Sequence, residues 1–153
     1  MSNADPVSFE TTLHVRDHCL CLRAQRGARI LARRFDEAFR PLDLTNGQFS
    51  LMMSLNRPGA PSIGATASFL AMDRTTLTAA LKPLERRGLV VVTPAPTDRR
   101  TRTLALTDAG RALLAQAVPI WQRAHADLDR RLGADGARLR EGLEALAGTD
   151  GGG

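Results

Sequence analysis

Between Gly88 and Thr107 the apolar period of this chain changes. Leu89–Val92 is a β-branched run, Thr93–Thr97 holds two prolines, and Thr101–Leu106 alternates apolar with polar. A period of two bounded by turn residues reads as a β-hairpin, with Asp98-Arg99-Arg100 near its tip. The stretch PTDRRTRTLALTDAG, Pro96 to Gly110, therefore mounts three arginines (Arg99, Arg100 and Arg102) on a hairpin directly before a helix start.

The segments on either side follow the three-to-four spacing of amphipathic helices. Cys19–Phe39 predicts a first helix, with Leu20, Ala24, Ala28, Leu31, Ala32, Phe35 and Phe39 on one face and Pro41 ending it. Thr45 caps a second, with Phe49, Met52, Met53 and Leu55 inward, stopped at Asn56-Arg57-Pro58-Gly59. Ser62 caps a short third helix through Phe69. Asp73 caps a fourth, with Leu77, Ala80, Leu81 and Leu84 on one face, Gly88 at its end and a kink expected at Pro83. After the hairpin, Thr107 caps a long helix carrying Leu113, Leu114, Ala117, Ile120, Trp121, Ala124, Leu128 and Leu132, with a bend expected at Pro119. Gly133 breaks it, and Asp135 begins a last helix with Leu139, Leu143 and Leu146. Ser2-Asn3-Ala4 reads as a cloning scar, which sets Met1–Ala4 outside the fold, and Gly148–Gly153 as a frayed end.

Helix, short helix, helix and hairpin in that order make a winged helix-turn-helix. The expected fold is mainly α with a small β-hairpin wing: one domain over 5–153, with a DNA-binding lobe at about 42–106. Helical regions 10–40 and 107–147 flank it. Their apolar stripes, around Leu13 and at Leu139, Leu143 and Leu146, exceed what this small core can bury and predict a helical dimer interface.

Charge sharpens this reading. The chain carries +5, and 20 of its 21 basic residues are arginine. Asp73–Arg102 holds seven basic against three acidic residues, a net +4, so most of the excess lies in one fifth of the chain and favours a localised polyanion contact. The fourth helix offers Arg74, Thr75, Thr76, Thr78 and Lys82, donors suited to phosphates and major-groove base edges. A wing beside it can lay its tip in the adjacent minor groove, where narrow A·T tracts attract arginine. Asp98 is expected to hold a neighbouring guanidinium extended, with Arg99 and Arg102 nearer the phosphates.

The spacing Asp98-x-Arg100-x-x-x-Leu104-x-Leu106-Thr107-x-x-Gly110 resembles the wing signature of the MarR (multiple antibiotic resistance regulator) family. MDRTTLTAALKPLERRGLV resembles its recognition helix, and LDLTNGQFSLMMSL its second helix. The resemblance covers roughly Cys19 to Ala117. It implies a cytoplasmic homodimeric transcriptional regulator, usually a repressor, that binds a palindromic operator in double-stranded DNA and is released by a small molecule or an oxidant. It also makes Arg100 the minor-groove arginine and Asp98 its partner. Thr66-Ala67 departs from the family's common Leu-Ala pair and leaves the packing of the third helix open.

Cys19 and Cys21 are too close in sequence for an unstrained mutual disulfide, which fits a reducing compartment. Arg16, Arg23 and the helix dipole would favour a thiolate there, so the pair reads either as a redox sensor or as two small buried residues. The resemblance places a reactive cysteine in this region in the family's hydroperoxide-sensing branch. That branch also uses tyrosines, and this chain has none. His14 and His18 join the cysteines as a weaker metal-ligand reading, lacking a second tight cluster; no metal or cofactor is expected. Phe49, Met52, Met53 and Trp121 are read as core or as the border of a pocket for an apolar effector, and His125 as exposed or hydrogen-bonded on its helix.

No Ser/His/Asp set, phosphate-binding glycine loop or paired acids suggests an enzyme. No run reaches membrane-span length, and the start lacks the order of a secretory signal. A winged-helix protein-interaction module without sequence-specific DNA binding is the competing class.

Overall fold

The computed structural model describes residues 6–149. Met1–Ala4, and residues 150–153 of the end read as frayed, lie outside them. The elements are α1 (Phe9–His18), α2 (Leu20–Phe39), a 3-10 turn (Arg40–Leu42), α3 (Asn46–Leu55), α4 (Ile63–Phe69), α5 (Arg74–Arg86), β1 (Val90–Pro94), β2 (Arg102–Leu106), α6 (Asp108–Leu132) and α7 (Ala134–Ala147).

Short polar side chains set the helix starts as the sequence predicts. Thr45 accepts the Gln48 N–H, and Gln48 returns the bond to the Thr45 N–H, closing a capping box. Ser62, Asp73 and Thr107 accept from Ala65, Thr76 and Gly110. α5 and α6 run on unbroken through Pro83 and Pro119. One start differs from the sequence reading. A separate helix, α1, precedes the first predicted one, and Cys19 is the extended residue between the two, its Sγ accepting the Leu22 N–H at 3.4 Å.

Alternation along the hairpin pairs Val90 with Leu106 and Val92 with Leu104. Val90, Leu104 and Leu106 are buried, while Val91 faces out. Pairing extends to Pro94 opposite Arg102, so β1 runs two residues past the predicted Leu89–Val92. The core joins Phe35 and Phe39 of α2 to Phe49, Met52 and Leu55 of α3 and Leu77, Leu81 and Leu84 of α5, closed by the hairpin and by Leu114 and Ala117 of α6. Thr66 is buried beside Ala67, and its hydroxyl donates to the Ser62 carbonyl at 2.9 Å. The hydroxyl that replaces a leucine's apolar bulk is thus satisfied within its own helix.

Several residues expected inside lie elsewhere. Met53 and Trp121 are exposed, and so are Leu20, Ala24 and Ala28. These last three, with Leu31, line one wall of an open cleft of about 400 Å³ whose other wall is Leu139, Leu143 and Leu146 of α7. The core occupies only the C-terminal half of α2 and the N-terminal part of α6. No residue of α1 is buried, and only Gly136 of α7.

Ion pairs brace the helices beyond the core. Asp127 on α6 gathers Arg34 of α2 at 2.8 Å together with Arg130 and Arg131. The Arg34 hydrogen bond, then the charges of Arg131, Arg34 and Arg130, hold its carboxyl below the ordinary value. Asp129 ties α6 to α7 through Arg140 and also meets His125, and these bonds lower its pKa in that order.

Candidate nucleic-acid interface

α5 presents one face to the core through Leu77, Leu81 and Leu84, which leaves Arg74, Thr75, Thr78 and Lys82 exposed. Thr76 is committed elsewhere: its backbone N–H and hydroxyl both donate to the Asp73 carboxylate, at 2.7 and 2.9 Å. Those bonds, backbone first, hold the Asp73 carboxyl below its ordinary range. Of the donors expected on this helix, Thr76 therefore fixes the cap, and the other four face outward. The sequence carries the Asp-x-x-Thr spacing of that cap, but it does not say which threonine turns back.

The wing is attached at three points. The Leu104 N–H donates to the Pro61 carbonyl at 2.9 Å, and Thr103 bridges to Ser62, so the start of α4 acts as a short third strand. At its base, the Thr107 hydroxyl donates to the Gly88 carbonyl at 2.6 Å and accepts the Gly110 N–H at 3.0 Å. The Thr107 N–H in turn donates to the Leu89 carbonyl. α6 begins so close to that carbonyl that a Cβ on Gly110 would collide with it. Gly110 belongs to the spacing noted in the sequence, and this close approach is the physical reason for it.

These attachments bring Arg74, Thr78, Arg100 and Arg102 around one cleft of about 420 Å³, floored by Ser62 and Gly64. Arg74 folds back until its guanidinium lies over Gly64, where a Cβ would stand 2.6 Å from Nη2. Among the described residues, none of Arg74, Lys82, Arg99, Arg100 and Arg102 has a carboxylate partner. Unpaired guanidinium groups converging on one face form a site for a polyanion.

Asp98 does something other than expected. Its carboxylate accepts the Arg100 backbone N–H at 3.0 Å and the Thr101 hydroxyl at 3.4 Å, and it pairs with no guanidinium. It shapes the turn that carries Arg100 rather than holding the arginine's head, because an aspartate two residues back reaches the backbone more easily than a long side chain.

The cysteine segment also differs from expectation. Arg16 pairs with Asp17 at 2.7 Å, and Arg23 donates twice to the Asp17 carbonyl, so both arginines serve Asp17 rather than a thiol. Cys19 is half-buried and Cys21 exposed. His14 and His18 stack at 4.2 Å, with His18 Nδ1 donating to the His14 carbonyl. Phe49 and Met52 are core, Met53 lines a small cleft between α3 and α4, and Trp121 packs on His125. His125 is hydrogen-bonded along its helix to Asp129, as the sequence suggests.

Sequence reasoning missed two links between elements, one at the end of α5 and one at the start of α3. Arg87, at its end, donates to the carbonyls of Asp43 and Leu42 at 2.5 and 3.2 Å, and Asp36 of α2 accepts both the backbone and side-chain N–H of Asn46. Neither pairing leaves a local pattern to read.

A capped helix beside a basic, firmly rooted wing defines the winged helix-turn-helix class. A MarR family model matches residues 44–101. The DNA-bound transcriptional regulator MosR of M. tuberculosis superposes with a TM-score of 0.79 at 34% identity, covering 87% of this chain and 96% of that one. The repressor CouR bound to a 23-mer DNA duplex gives 0.74 at 32% identity over 86% and 94%, and it also has a structure with p-coumaroyl-CoA. The activatory protein BadR of Rhodopseudomonas palustris is 33% identical over 95 residues, 60% of this chain and 54% of BadR. The match thus spans about half of that relative's length. The chain belongs to the MarR family of transcriptional regulators.

Proposed function

We propose that this chain is a repressor that binds a palindromic operator as a homodimer, through α5 in the major groove and the wing in the adjacent minor groove. The carrying observation is the cleft where the unpaired Arg74, Arg100 and Arg102 converge. In this reading Arg74, Thr75, Thr78 and Lys82 face the major groove, Arg100 enters the minor groove, and Arg99 and Arg102 meet phosphates. Thr76 and Asp98 position the others. Residues 42–106 form the DNA-binding lobe, and 10–40 with 107–147 the dimerisation region, where apolar residues stay uncovered in a single chain. The chain has no catalytic role and works in the cytoplasm. No helix of the described residues is long and apolar enough to cross a membrane.

Release comes from a small apolar or aromatic molecule or an oxidant, the latter supported by Cys19 standing at the α1–α2 joint. Electrophoretic mobility shift on the DNA just upstream of the chain's own gene tests the main reading. Retardation that persists against excess random duplex is expected, and binding no stronger than to random duplex would favour a protein-interaction module. Peroxide treatment beside a Cys19→Ser, Cys21→Ser variant separates the signals. An oxidant signal requires wild type alone to lose affinity.

A further inference from the structure

The outward face of α5 has a chemical character that its charge conceals. With Leu77, Leu81 and Leu84 inward, the exposed residues of its first two turns are Arg74, Thr75, Thr76, Thr78 and Ala79, of which Thr76 has its hydroxyl committed to Asp73. Arg74 lies folded over Gly64 toward the wing. Lys82 and Arg86 follow only in later turns. Beside Arg74, what the helix presents at the end that enters a major groove is a patch of three methyl groups, from Thr75, Thr78 and Ala79. Residues at i, i+3 and i+4 have Cβ atoms about 5–6 Å apart, and base pairs rise by about 3.4 Å. The patch therefore spans two or three consecutive base pairs. Forked donors that would grip guanine O6 and N7 are missing from it, whereas threonine and alanine methyls suit the C5-methyl of thymine.

We infer that α5 selects its site by methyl-to-methyl contact with thymine, through Thr75, Thr78 and Ala79, and that the centre of each half-site is read as a short run of A·T pairs. This rests on the operator reading above and adds the residues that set its specificity. Ala79 is one that the sequence gives no reason to single out, since an alanine in a helix usually only favours the helix.

The test starts from a duplex enriched from random-sequence DNA by the full chain. It is resynthesised with deoxyuridine replacing each half-site thymine in turn, which deletes the methyl and leaves the minor-groove edge unchanged. Two or three positions per half-site should each weaken binding about fourfold, the weight of one buried methyl-sized group. Thr75→Ser and Thr78→Ser keep the hydroxyl and lose the methyl. Each should weaken binding similarly and become indifferent to deoxyuridine at one position. Uniform tolerance of deoxyuridine by wild type, or serine variants as sensitive to it as wild type, would overturn this inference alone. A chain that enriches no sequence overturns the operator reading and this inference with it.

Discussion

Arg100 sits on a turn whose backbone is fixed by Asp98 while its guanidinium stays unpaired. Arg100→Ala should therefore cost about 1–3 kcal/mol of DNA affinity per half-site without changing the fold. Arg102→Ala should weaken binding alike across sequences and lower the salt slope by about one per subunit. Fluorescence anisotropy at several salt concentrations reads both, and equal, negligible losses would remove the wing from the interface. Thr107 makes a different kind of prediction, because its hydroxyl both donates and accepts. Thr107→Ala should destabilise the fold by about 1–2 kcal/mol in urea denaturation, and Thr107→Ser should restore most of that. An alanine variant as stable as wild type would show that the clamp has no weight. Thr107 was legible as a cap, since a short hydroxyl before an apolar period has few other uses. Its second bond, to Gly88, was not, because it joins residues nineteen apart.

For the elements, legibility followed burial. α3, α4, α5 and the hairpin each turn an apolar face to one core, so their periods could be read directly. α1 has no buried residue, and its apolar stripe around Leu13 meets no part of that core, so its bounds could not be read in the same way. α5 depends on a titratable cap, and the sign of its pH response follows from that. The folded-state pKa of Asp73 lies below the ordinary 3.8. Its cap is therefore fully present at neutral pH and is lost only as pH falls through that lowered value. In an NMR titration the Thr76 amide resonance should hold steady through the pH where an ordinary aspartate protonates and move only below it. A midpoint at or above the ordinary value would contradict the cap. In Asp73→Asn, which keeps an acceptor without the charge, that movement should vanish.

At the scale of the whole molecule, Leu139, Leu143 and Leu146 are each nearly half exposed, opposite the uncovered Leu20. A second copy would cover them, and a two-fold dimer sets its recognition helices about 34–36 Å apart for a palindromic site. Sedimentation should give twice the chain's mass at micromolar concentration. Leu139→Glu with Leu143→Glu should give single chains that have lost operator affinity by at least tenfold. A wild-type monomer that still binds its operator would refute the dimer. The surplus of apolar stripes was visible in the sequence. The cleft between α2 and α7 was not, because it depends on how two helices far apart in the chain come to lie.

The Thr107–Gly88 clamp has a mechanical consequence. By fastening the root of the wing and the end of α5 to the first turn of α6, it makes them the short arm of a lever whose long arm is a 25-residue helix. Such a helix is about 37 Å long, so a tilt of about 5° about its far end moves the near end by about 3 Å. That is close to the rise of one base pair. A small rotation where two subunits meet would thus carry wing and reading helix together by one step along the duplex, enough to put two half-sites out of register at once.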